Sequence, residues 1–150
     1  MVENYHRSWK SILFVIVQFF SLGLIGLTGP VLPGSFVLLL IELIGLGLGV
    51  WAVLVMGIGN FNIIPDPFQW TKLVQGGPYQ WIRHPMYLSL LLITLPLVIN
   101  YFSVFRLLVW ITLLVNLTLK LNYEEGLLSE KLDGYSKYKG ESYKIIPCLY

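Results

Sequence analysis

Residues 35–58 read SFVLLLIELIGLGLGVWAVLVMGI, a stretch whose one charge is Glu42. About 20 apolar residues are enough for an α-helix to cross the hydrocarbon of a bilayer. Working outward, residues 11–28 form a second apolar run, broken only by Gln18. Residues 86–100 form a third, and residues 104–121 a fourth with Arg106 near its start. The run at 86–100 would be only about 22 Å long as a helix. It is joined to the fourth across Asn100-Tyr101-Phe102-Ser103, so the two read as a tight helical hairpin. The expected fold is an all-α, polytopic membrane protein. It has about four transmembrane helices in one domain over 1–150, with a polar loop at 59–85 and a helical tail at 122–150.

Composition agrees. The 150 residues are 56% hydrophobic and 12% charged, with mean hydropathy +0.72. Soluble domains carry about 25% charged residues. A net charge of +2 gives no footprint for nucleic acid. The one cysteine, Cys148, supports neither an internal disulfide nor a thiolate metal cluster. Prenylation requires a cysteine fourth from the end, whereas the ending here is Pro147-Cys148-Leu149-Tyr150. Cys148 therefore reads as a tail residue without a chemical role. The first run has a basic flank in Arg7 and Lys10. It is long, and no small-residue cleavage site follows it, so it reads as a retained helix rather than a signal peptide.

Charge placement gives an orientation. Arg7 and Lys10, then Lys72 and Arg83, then Lys131, Lys137, Lys139 and Lys144 occupy alternate inter-span segments, and 29–34 carries no charge. The positive-inside rule puts both termini and the 59–84 loop in the cytoplasm, in the plasma or inner membrane if the cell is prokaryotic. Gly45, Gly47 and Gly49 make a small-residue patch that includes a G-x-x-x-G, and Gly23 and Gly26 do similar work in the first span. Such residues let helices approach closely in lipid; room for a ligand is the alternative. Glu42 needs a partner in the bundle interior, and Gln18 is the one the first span offers.

The groups able to do chemistry collect in the 59–84 loop and the tail. Pro85 suits the first turn of a helix. That places Arg83 and His84 just ahead of a helix N-terminus, a natural position for a carboxylate. Anchoring at lipid headgroups is the plainer reading of the same two residues. Glu124 and Glu125 lie at the end of the last run, where carboxylates are costly unless partnered. Either the helix runs on into water, or Arg83, His84 and Lys120 supply the partners. The basic, aromatic tail would lie on an anionic membrane surface or fold back as a lid. No cluster of metal-ligand type is present.

Together, Gly77-Pro78-Tyr79 and Arg83-His84-Pro85-Met86-Tyr87 resemble the G-x-Y…R-H-P-x-Y signature of the isoprenylcysteine carboxyl methyltransferase-like membrane enzymes; the phospholipid methyltransferases are similar. Glu124-Glu125-x-x-Leu128 matches their E-E-x-x-L, and Tyr135-x-x-Tyr138 with Ile146-Pro147 matches their closing Y-x-x-Y…I-P. The resemblance covers the chain from Gly59 onward. It implies an S-adenosylmethionine-dependent methyltransferase acting on a lipophilic small molecule or lipidated substrate in contact with membrane lipids. By motif, Thr71, Lys72, Leu73, Val74, Tyr79, His84, Pro85, Met86, Tyr87 and Glu124 would line the cofactor site, with Arg83 and Lys120 as catalytic residues. The family commonly has an arginine one turn before the glutamate, facing the substrate. Lys120 stands there in this chain, keeping the charge without the bidentate fork. Two other readings remain: a membrane reductase of sterol-reductase type using a nicotinamide cofactor, and a non-catalytic scaffold or interaction protein.

Overall fold

In the computed structural model the residues described are 8–57, 59–67 and 70–146. The basic flank at Arg7, the closing Pro147 and the tail thiol of Cys148 lie outside them. Five α-helices follow in order: α1 (Trp9–Leu27), α2 (Phe36–Met56), α3 (Pro85–Asn100), α4 (Val104–Lys131) and α5 (Tyr135–Glu141). The described residues contain no strand, only a single parallel bridge between Ile82 and Tyr143. The protein is an all-α polytopic membrane protein. Helices α1, α2 and α4 are long and apolar enough to cross a bilayer, and α3 is a shorter apolar helix.

The helix interiors show why these sequences fold as a membrane bundle. The buried residues of α1 are Ser11, Gln18, Ser21 and Ile25, spaced as one helical stripe. Those of α2 are Glu42, Gly45 and Ala52. The large side chains point the other way: Phe19, Phe20, Leu27, Phe36, Ile44 and Leu54 are all exposed. Small and polar residues inside, with bulky apolar ones outside, is the arrangement expected where lipid is the solvent. Helix α1 packs chiefly on α4, and α2 chiefly on α3. A core of Ile25, Leu91, Leu97, Val98, Leu113 and Leu117 joins α1, α3 and α4.

The G-x-x-x-G pair does the expected packing. A Cβ on Gly45 would lie 2.8 Å from Leu92 Cβ and 3.0 Å from the Ile93 nitrogen, and one on Gly49 would collide with Ser89. Gly23, Gly26 and Gly47 meet nothing within 4 Å, so the packing role expected of them falls to Gly45 and Gly49 alone. Gly45→Val is expected to destabilise the bundle by about 1–3 kcal/mol through overpacking. Gly23→Ala should leave the thermal midpoint in detergent unchanged or slightly raised, since alanine favours the helix. Equal midpoints for the two variants would refute this account of the α2–α3 contact.

Helix α4 runs on to Lys131, ten residues past the apolar run, so the first of the two arrangements open for Glu124 and Glu125 holds, and Glu125 has a cationic partner in Arg83 as well. One other expectation changes. Glu42 is buried at 6% exposure, with no hydrogen-bond partner for Oε2 among the described residues. Gln18 does not serve it; its Oε1 accepts from Lys120 Nζ at 2.7 Å. The physical reason is the pairing: α1 lies along α4, which brings Gln18 to Lys120.

The bundle has two unlike ends. At one, the 28–35 turn meets the α3–α4 hairpin. Asn100 Oδ1 accepts from the Gly34 nitrogen at 2.9 Å, and Ser103 caps α4 by accepting from the Arg106 nitrogen at 3.2 Å. The other end gathers the 57–84 segment, the extension of α4 and α5.

Candidate active site

Pro85 occupies the first position of α3 and His84 its N-cap. Proline is tolerated there because its missing N–H would have no helical partner. Tyr87 follows within the first turn, and its ring stacks on His84, with centroids 5.3 Å apart and planes 1° from parallel. The Gly76–Gln80 turn that precedes them depends on Gly77. Its φ of +56° suits glycine, and a Cβ there would come within 2.7 Å of Val55 Cγ2.

The two adjacent carboxylates of α4 separate in role. Successive helix residues point about 100° apart. Glu125 turns inward, with its side chain 4% exposed. Its Oε1 accepts from Arg83 Nε at 2.7 Å and lies 3.3 Å from His84 Nε2, and Lys139 Nζ is 3.6 Å from Oε2. Glu124 is 26% exposed and accepts from the Tyr87 hydroxyl at 2.6 Å. Arg83 also donates from Nη1 to the carbonyls of Lys139, at 3.0 Å, and of Ser142. The tail is thereby fastened across the start of α3. Backbone bonds from Arg83 N to Tyr143 O at 2.8 Å and from Tyr143 N to Trp81 O at 2.9 Å extend the attachment.

Under this tail lies a cavity of about 340 Å³, within the range of small-molecule sites. All twelve residues singled out by the sequence line it: Thr71 to Val74, Tyr79, Arg83 to Tyr87, Lys120 and Glu124. Glu124 is the only acidic side chain on its wall among the described residues; Glu125 is not part of the wall. Asn60 fixes the 71–74 segment, with Nδ2 donating to Lys72 O and Oδ1 accepting from Lys72 N, both at 2.9 Å.

Sequence reasoning did not assign several wall residues to the site. Asn60, Asn62 and Ser89 are among them, as is Gln18 of α1, which it offered only as a partner for Glu42. For Gln18 the available signal was its isolation as a polar residue within an apolar run. Tyr135 and Tyr138, seen only as part of a tail motif, close the cavity from the α5 side. Tyr138 donates to Tyr79 O at 2.6 Å. Burial pushes the Tyr138 phenol up to about 12. Burial raises Tyr79 and Tyr135 as well, reinforced by the nearby charges of Glu124 and Glu125 respectively. All three phenols are neutral at physiological pH. The Tyr79 hydroxyl is buried with no partner among the described residues.

Comparison with known families decides the assignment. The phospholipid methyltransferase family matches residues 35–133, 99 of the 150 residues. The chain belongs to the phospholipid methyltransferase family. It is a membrane methyltransferase by that membership. The match begins at the start of α2 and ends just past α4, so it takes in the α3 entrance, Lys120 and both glutamates; α1 and α5 lie outside it. A search of curated proteins gives no match.

Proposed function

We propose that the chain transfers a methyl group from S-adenosylmethionine to a lipophilic acceptor that reaches the cavity from the bilayer. The polar end of the bundle would be cytoplasmic, with both termini on that side. The observation that carries this reading is Glu124: a partly exposed carboxylate, oriented by the Tyr87 hydroxyl at 2.6 Å, on the wall of the cavity beneath the tail.

The donor set suits this cofactor. A carboxylate flanked by aromatic rings favours a cation, and Glu124 with Tyr87 and Tyr79 provides one. The unpartnered hydroxyl of Tyr79 offers a donor to a ribose or carboxylate oxygen. Residues 71–74, His84, Pro85 and Met86 would form the remaining wall. When bound, the cofactor supplies a sulfonium-borne methyl group, which passes by in-line displacement to an acceptor lone pair and leaves a neutral thioether. The protein's task is to align the two reactants and exclude water. Arg83 has Nε and Nη1 committed to Glu125 and the tail carbonyls. Its contribution is to hold the tail closed over the site.

Titration calorimetry of the purified protein in detergent tests the reading. Micromolar binding of S-adenosylhomocysteine is expected, weakened about 10–100-fold in Glu124→Gln, as for loss of one charge-assisted contact. Binding of NADPH alone would favour a reductase, and no binding of either would favour a scaffold. Labelled methyl transfer into a membrane extract then identifies the acceptor.

A further inference from the structure

One edge of the polar end is apolar, exposed and level with lipid. Helix α2 has 21 residues, about 31 Å of rise, close to the roughly 30 Å of hydrocarbon in a bilayer. Trp51 stands five positions before Met56, the last residue of α2, which puts it about 7–8 Å inside the helix end. The Gly76–Gln80 turn is seated at this level. A Cβ on Gly77 would lie 2.7 Å from Val55 Cγ2 and 3.1 Å from Trp51 Nε1. Trp81 follows, and its ring meets Trp51 edge-on, with centroids 6.4 Å apart. Trp51 is nevertheless 45% exposed and Trp81 56%. Val50, Trp51 and Leu54 form an exposed stripe at helical spacing, and on a helix able to span the membrane such a stripe faces lipid. Trp81 carries that stripe without a break onto the polar loop. An indole, apolar in body with one N–H donor, is suited to the boundary between hydrocarbon and water.

The tail is fastened at the same place. Tyr143 N donates to Trp81 O at 2.9 Å, Arg83 N to Tyr143 O at 2.8 Å and His84 N to Lys144 O at 3.0 Å. Tyr143 and Ile146 expose apolar surface here, whereas Ile82 and Ile145 are buried. Undocking the tail would leave both partners of all three bonds open. In bulk water those groups are solvated at once; at the edge of the hydrocarbon water is scarce and each open group costs more. The same segment reaches the cavity. Tyr79, on the turn seated against Trp51, lines the wall, and its carbonyl accepts from Tyr138 of the tail at 2.6 Å.

We infer that the bilayer surface is the partner of this face. Trp51, Trp81 and the docked tail lie in the interfacial layer of the membrane, and lipid holds the tail closed over the cavity. Trp81 is the hinge of the arrangement: its ring rests on the lipid-facing stripe and its carbonyl holds the tail. Retention of the cofactor then depends on the bilayer as well as on the cavity wall. That consequence rests on the methyltransferase reading, whereas the seating of the tail does not.

The test compares the intact protein in nonionic detergent micelles and in nanodiscs of phosphatidylcholine, whose headgroup nitrogen takes no further methyl. Three readouts are taken: cleavage of the 132–146 tail by a soluble protease, binding of S-adenosylhomocysteine, and quenching of Trp81 by lipids brominated in the upper part of their acyl chains. The Trp81 signal is the wild-type fluorescence less that of Trp81→Phe. Wild-type Trp81 is expected to be quenched, the tail to be cleaved at least tenfold more slowly in nanodiscs, and S-adenosylhomocysteine to bind at least fivefold more tightly there. Trp81→Gln should lose both gains, its nanodisc values falling within twofold of its micelle values, while Trp81→Phe keeps most of them. The wild-type comparison needs no variant, so a misfolded Trp81→Gln does not remove the test. An unquenched Trp81, or a tail cleaved equally fast in both media, overturns the lipid seat. Tail protection in micelles that rises with protein concentration gives the face to a second copy and overturns it too. Slower cleavage in nanodiscs without S-adenosylhomocysteine binding in either medium keeps the seat and overturns the methyltransferase reading. Equal S-adenosylhomocysteine binding with equal cleavage does the reverse.

Discussion

Arg83→Met is expected to release the tail from the bundle and to abolish measurable binding of S-adenosylhomocysteine. The guanidinium meets Glu125 at 2.7 Å from Nε and reaches the carbonyls of Lys139 and Ser142 from Nη1. With arginine gone, Glu125 remains buried, facing His84 at 3.3 Å and Lys139 at 3.6 Å. Removing one partner of a buried pair costs about 3–5 kcal/mol, because the other charge stays out of water. The backbone bonds between 81–84 and 143–144 form only while the tail is docked. The tail also supplies Tyr135 and Tyr138 to the cavity wall, so undocking opens the site to solvent. Limited proteolysis of residues 132–146 and calorimetry read the two effects. Arg83→Lys should be intermediate, since it keeps the charge without the fork. The double variant Arg83→Met with Glu125→Leu should recover protease resistance, because a well-packed apolar pair often replaces a buried ion pair at no net cost. A tail in Arg83→Met as resistant as in the wild type would overturn the clamp.

The spans were legible because lipid imposes one strong rule. A helix must be apolar for its whole crossing, and residues 35–58 satisfy it on inspection. What hydropathy leaves open is which helices pair. Glu42 and Gln18 are each an isolated polar break in an apolar run, and pairing them is the economical guess. The structure sets α1 against α4 instead, so Gln18 meets a lysine 102 positions away. Helix pairing in a membrane is decided by where small residues allow close approach. Gly45 and Gly49 show this by receiving Leu92, Ile93 and Ser89 of α3.

The site was legible to a different degree. The Arg83–Tyr87 motif and Glu124, singled out in the sequence, line one cavity. The motif set Glu124 apart for the cofactor site but left the place of Glu125 open. The turn of about 100° between neighbouring helix residues sends Glu125 to Arg83 and Glu124 to the cavity. The extension of α4 to Lys131 was one of two arrangements the sequence left open, since an apolar run marks where lipid ends and not where the helix ends.

Arg106→Leu is expected to destabilise the bundle by about 3–5 kcal/mol while leaving cofactor affinity untouched below the melting range. In sequence Arg106 is an unexplained charge near the start of an apolar run. In the structure it is 1% exposed. Nη1 donates to Ile25 O at 2.8 Å and to Thr28 Oγ1 at 2.9 Å, and Nη2 donates to Leu97 O at 2.9 Å. Ile25 and Leu97 lie in the last turns of α1 and α3, where the helix dipole is negative; Leu97 O also accepts from the Tyr101 nitrogen at 3.3 Å. One cation thus serves two helix ends, and the Tyr101 ring adds a face 5.9 Å away. Gly29 leaves the space: a Cβ there would come within 2.5 Å of Nη1. Leucine would fill part of the volume but strand the Ile25 carbonyl, at about 1–3 kcal/mol, and remove the bonds to Thr28 and Leu97, each worth about 0.5–3 kcal/mol. Arg106→Lys should retain part of the stability, because one ammonium can reach one helix end well but lacks the fork for both. The position is absent from the cavity wall, so S-adenosylhomocysteine affinity at low temperature should match the wild type even as the thermal midpoint in detergent falls. An unchanged midpoint would show that the α1 and α3 ends need no shared cap. Lost cofactor affinity in folded protein would show that the two ends of the bundle are coupled.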